Sequence, residues 1–70
     1  MAEQKILANK DAEQSVLGAV FYDESTIRFL YDKIKKEDFY YLRHQNIFDT
    51  MIDLYKRGIA IDTTTVISAL

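Results

Sequence analysis

Apolar side chains recur along this chain with the spacing of helices. Val16, Leu17, Val20 and Phe21 share one side of a 3.6-residue period. The spacing predicts a first helix opening at Asp11, whose carboxylate suits the free N–H groups of a first turn, with Gln14 three positions on as a capping-box partner. Residues 1–10 are polar without a period and read as a flexible N-terminal tail. The segment YDES breaks the pattern. Glu24 or Ser25 then opens a second helix in which Ile27, Leu30, Tyr31 and Ile34 follow the i, i+3, i+4, i+7 rule, with Lys33, Lys35 and Lys36 at its end, where cations suit the helix dipole. EDFYY forms a corner whose Phe39 plugs the core.

A third helix over residues 42–57 is the longest. Ile47, Phe48, Met51, Ile52 and Tyr55 form its broad apolar stripe, Leu54 lies on the stripe's edge, and Gly58 is its stop. The closing stretch IAIDTTTVISAL pulls two ways. Its β-branched residues favour a strand, while Asp62 has the chemistry of an N-cap for a helix with Val66, Ile67 and Leu70 on its inner side; the helix is the favoured reading. The fold class predicted is all-α, a small orthogonal bundle of about four helices. A chain of 70 residues buries only about 60 % of its unfolded surface. Its last helix has little more than two turns and an apolar final residue, so residues 11–70 are expected to be part of a larger helical domain, incomplete at its C-terminus.

Composition removes several classes of function. With 49 % apolar residues the chain is too hydrophobic to be disordered, and without cysteine it has neither disulfides nor a thiolate zinc site. Ile6 and Leu7 are too few for the apolar core of a signal peptide, and no run approaches the roughly 18 to 20 residues of a membrane span. A cytoplasmic protein is the simplest reading. The net charge of −2 argues against a surface built to collect phosphates, and the lysines of KIKKED are followed at once by two acids.

Catalytic chemistry is not visible. A phosphate-binding loop needs glycines leading into a lysine, and neither Gly18 nor Gly58 begins one. A metal site needs converging ligands, but there is one histidine and the acids are dispersed. Asp49 and Asp53 lie on the outer face of helix three, with Asp53 placed to meet Arg57. His44 precedes Ile47 and Phe48 by three and four residues, which points it along the apolar stripe as a semi-buried structural histidine near a helix start. The alternative, a general base, lacks a visible nucleophile.

Gly18 raises a different question, because glycine inside a helix costs about 1 kcal/mol relative to alanine. Ala12, Ser15 and Ala19 gather away from Leu17 and Phe21, with Gly18 and Tyr22 bordering them. Helix one then has two faces, a large one for the core and a small one on which Gly18 gives clearance to another element or subunit; alternatively the glycine is merely exposed and tolerated. Asp11 and Glu13 are read at the edge of that small face, as first-turn acids and as an acidic rim that steers a basic partner. Phe29 lies opposite the inward residues of helix two and is expected to be an exposed aromatic. Asp11, Ala12, Glu13, Ser15, Gly18, Ala19, Tyr22 and Phe29 are therefore the candidate protein-interaction residues. A second reading makes residues 17–34 a helix-turn-helix presenting Thr26, Arg28, Phe29 and Lys33 to DNA, a poor supply of cations for a duplex.

The order AEQSVLGA, DFY, a histidine with IF three and four residues on, then M, L, G, ID and TV with a final L resembles the N-terminal domain of bacterial replicative DNA helicases of the DnaB family. Ala60 stands where that family usually has proline. The resemblance implies a helical collar domain of a ring-shaped hexamer that helps dock the C-terminal domain of primase, with a helicase loader as a further partner. It also implies that ATP and Mg belong to a separate motor domain. No cofactor, metal, catalytic residue, nucleic-acid site or membrane contact is then expected in these residues, and Phe39, His44, Ile47, Phe48 and Met51 are fold determinants.

Overall fold

The structure, a computed structural model, describes residues 9–70. The expected tail lies outside the described residues except for Asn9 and Lys10, of which Asn9 caps the first helix and Lys10 opens it. Helix α1 spans Lys10–Tyr22, with Asn9 as its N-cap; the Asn9 side chain accepts the Ala12 N–H at 2.8 Å. The capping role assigned to Asp11 is thus filled two residues earlier. At the other end Asp23 goes extended and accepts from the Ser25 N–H and hydroxyl, which starts a 3-10 turn at Glu24–Thr26.

Helix α2 is only Ile27–Leu30, much shorter than its apolar spacing predicts. The chain keeps winding to Ile34, whose N–H reaches the Leu30 carbonyl, and there it stops because the Asp38 carboxylate draws off the Lys35 N–H at 2.8 Å and Lys35 becomes extended. Ile27 and Ile34 are buried as the spacing requires, while Tyr31 is pushed to the surface and packs its ring 5.2 Å from that of Tyr55. A second 3-10 turn, Lys36–Asp38, leads into the aromatic corner.

Helix α3 spans Leu42–Lys56 and ends where the sequence places its stop. Gly58 has φ +71°, its N–H bonds the Tyr55 carbonyl, and the Ile59 N–H bonds the Leu54 carbonyl, the paired bonds of a Schellman end. This reversal folds the chain back beside Leu54, which is fully in the core instead of on the edge of the stripe. Helix α4, Thr63–Ala69, is capped by Asp62, whose carboxylate accepts the Thr65 N–H while Thr65 returns its hydroxyl oxygen to the Asp62 N–H. That reciprocal cap resolves the helix-or-strand ambiguity of a β-branched segment. Only Val66 faces inward, however: Ile67 is 70 % exposed, and Leu70 is exposed too, beside a groove of about 560 Å³ lined in part by Ile47 and Ala69.

Among the described residues, all four helices contribute to a single core. Leu17 and Val20 of α1, Ile27 of α2 and Phe48, Met51 and Leu54 of α3 form one buried cluster with Phe39, Ile34, Ile61 and Val66. Phe39 is the plug the sequence implies, its ring 5.2 Å from that of Phe48. Each large side chain of this kind stabilises the fold by about 1.5 to 3 kcal/mol on burial. No strand occurs among the described residues, so the predicted all-α class holds.

Candidate functional site

Two places separate from the apolar core invite a functional reading, a buried polar cluster and the outer face of α1. The cluster starts from Glu13, which is 1 % exposed. Its carboxylate accepts the Tyr40 N–H at 2.7 Å and the Tyr41 N–H at 3.4 Å, and it lies 2.7 Å from His44 Nδ1. Burial pushes the Glu13 pKa up, but the Tyr40 amide, the His44 ring and the Tyr41 amide together outweigh it and hold the carboxyl below its ordinary value. An ionised carboxylate only accepts, so the proton of this contact sits on Nδ1.

The geometry explains why the corner holds its shape. Tyr41 is the N-cap of α3, and its side chain makes no capping bond. Glu13, from another helix, pairs the two N–H groups just before the first turn and so places a negative charge near the positive end of α3. Gln45 closes the corner from within by donating its side-chain amide to the Phe39 carbonyl at 2.7 Å. Among the described residues no buried side-chain polar atom lacks a partner, and no cluster of metal-ligating side chains assembles. The cluster is committed to its own backbone.

Glu13 is therefore misplaced by its reading as a rim charge. Counting along α1 would have placed it correctly, because Glu13 lies four and seven residues before Leu17 and Val20, on the core stripe. His44 similarly lies four and seven residues before Phe48 and Met51. Two polar residues on two apolar stripes form a pair detectable from sequence. His44 occupies the structural position expected of it, buried at a helix start.

The remaining candidates lie outside the core. Asp11, Ser15, Gly18, Ala19 and Tyr22 are exposed along α1, and Ala12 is half-buried. A Cβ added at Gly18 would meet nothing within 4 Å, so nothing among the described residues needs the clearance. Tyr22 is 93 % exposed, and Phe29 is 68 % exposed, as its position on the second helix predicts. Phe29 belongs to the four-residue α2, so the candidate set spans two elements. That same brevity removes the recognition helix that a helix-turn-helix would lay in a groove. Asp53 and Arg57 pair on the surface at 3.1 Å, as their spacing implies.

Fold and site together define a class: a small all-α domain whose buried Glu–His pair serves its own architecture and whose α1 leaves an exposed face of small residues. The chain belongs to the family described as the DnaB-like helicase N terminal domain, whose model matches residues 5–70. It is 41 % identical over 59 residues to the replicative DNA helicase DnaB of Mycobacterium leprae, covering 84 % of this chain and 10 % of that protein. It is 40 % identical over 62 residues to the replicative DNA helicase DnaC of Bacillus subtilis, covering 89 % and 14 %. Against the replicative DNA helicase DnaB of Geobacillus stearothermophilus it is 42 % identical over 60 residues, covering 86 % and 13 %. The chain thus spans a small part of the length of these relatives. No solved structure matches it. No helix among the described residues is long and apolar enough to cross a membrane.

Proposed function

We propose that this chain is a non-catalytic assembly and protein-interaction domain of a hexameric replicative DNA helicase, acting in the cytoplasm. It contributes to the N-terminal collar and to docking of the primase C-terminal domain during DNA replication, with a helicase loader as a further partner. ATP and Mg are then the business of a motor domain elsewhere in the protein. The observation that carries this reading is the family match over residues 5–70, joined to the use of Glu13 and His44 as structural groups. An assembly domain needs a fixed shape and a free surface. Here the buried polar groups fix the shape, and Asp11, Ser15, Gly18, Ala19, Tyr22 and Phe29 remain exposed.

Sedimentation velocity of the chain, alone and mixed with a candidate primase C-terminal domain, tests the proposal. A concentration-dependent rise in mass alone and a heavier species in the mixture are expected. A monomer at all concentrations that ignores the primase domain would remove both parts of it.

A further inference from the structure

We propose that Glu13 is a latch: its carboxylate holds residues 40–43 as a separately opening unit, so that loss of its charge frees the aromatic corner while the rest of the core stays packed. The segment has no apolar anchor of its own. Tyr40 is 83 % exposed, and Tyr41, Leu42 and Arg43 are exposed as well, so none of their side chains contributes to the core. What orders them is polar: the bonds from the Tyr40 and Tyr41 amides to Glu13, the Gln45 side-chain bond to the Phe39 carbonyl, and the first backbone bonds of α3, to which Leu42 and Arg43 belong and in which the Gln45 N–H reaches the Tyr41 carbonyl. On either side the chain is fastened hydrophobically, by Phe39 against Phe48 before the segment and by Phe48 and Met51 after it.

Segments with few buried apolar contacts open at lower free energy than the core around them, and a segment held chiefly by one charged acceptor opens most easily when that acceptor is neutralised. The groups facing the carboxylate are the His44 ring and the two amides; Lys10 of α1 lies further out, its Nζ 5.9 Å from the centre of the Tyr41 ring. Opening withdraws Tyr41 from Lys10 and from the His44 ring, 5.5 Å away, and so changes how the edge-to-face Tyr40 and Tyr41 rings are displayed. Glu13 thereby controls a surface to which its own side chain is hidden.

Amide hydrogen exchange of the whole chain, resolved by residue and corrected for intrinsic rates, tests the latch. In the wild-type chain the Tyr40 and Tyr41 amides should be protected, yet at least tenfold less than those of Met51 and Leu54. In Glu13→Gln the Tyr40 and Tyr41 amides should lose their protection altogether, while those of Met51 and Leu54, though weakened, stay protected. Equal protection of corner and core in the wild type, or corner amides that stay protected in the variant, would overturn the proposal. If Glu13→Gln does not fold, acidification of the wild type decides: the corner amides should lose protection at a higher pH than the core amides, and simultaneous loss would overturn the latch.

Discussion

Glu13 carries more of this structure than any other single polar residue. Removing one member of a buried polar pair leaves the other unpaired, so Glu13→Ala should destabilise the chain by about 3 to 5 kcal/mol. A domain with a total stability of about 5 to 15 kcal/mol feels that severely. Because the folded Glu13 carboxyl lies below its ordinary value, its stabilisation is complete above the unfolded pKa of about 4.3 and is lost as pH falls through the folded value. The unfolding free energies of wild type and Glu13→Gln should therefore differ at neutral pH and converge in acid, which urea titrations at a series of pH values would show. Gly18 carries the opposite expectation. With open space where its Cβ would be, Gly18→Ala should raise the stability of the isolated chain by up to about 1 kcal/mol through helix propensity, and a lowered melting temperature would reveal a packed neighbour.

Among the elements, the ends decide the outcome more than the middles do. Helix α3 was legible because its stripe is long and Gly58 terminates it; Gly58→Ala should cost about 1 kcal/mol or more, since alanine tolerates the observed φ of +71° poorly. Helix α4 was legible from Asp62 despite its strand-like composition, and Asp62→Ala should cost about 1 kcal/mol, measured by thermal unfolding. Helix α2 was not, because periodicity reports which residues face inward and not whether the intervening backbone stays α-helical. Ile27 and Ile34 do share the core, yet Asp38 competes for the Lys35 amide and ends the winding early. The burial of Ile67 and Leu70 was over-read for a related reason: in a helix of seven residues only one turn meets the core, and Val66 occupies it. The anchoring of the corner before α3 could not be read locally at all, since its acceptor comes from Glu13, 27 residues before Tyr40.

For the molecule as a whole, the division of labour runs between a core that sets shape and a surface that is left to bind. The family was legible because its motif residues are largely the core itself, Phe39, His44, Phe48 and Met51, together with Glu13. The binding surface was less legible, because exposed residues carry no packing constraint that sequence spacing could reveal. Phe29→Ser should leave the melting temperature nearly unchanged, since Phe29 is largely exposed, while weakening self-association or partner binding in sedimentation. Of the two first-turn acids only Asp11 is exposed, for Glu13 is sealed inside. Exposed charge at the rim of a contact steers association and is screened over about 10 Å at 0.1 M salt. The decisive measurement is calorimetric titration of a primase C-terminal domain into wild type and Asp11→Lys at low and high salt, well below the melting temperature of either. Weaker binding by the variant at low salt, with the difference shrinking as salt rises, is the result expected. Identical affinities at low salt would contradict a binding role for the acidic end of α1, and absence of binding by the wild type would contradict the docking function itself.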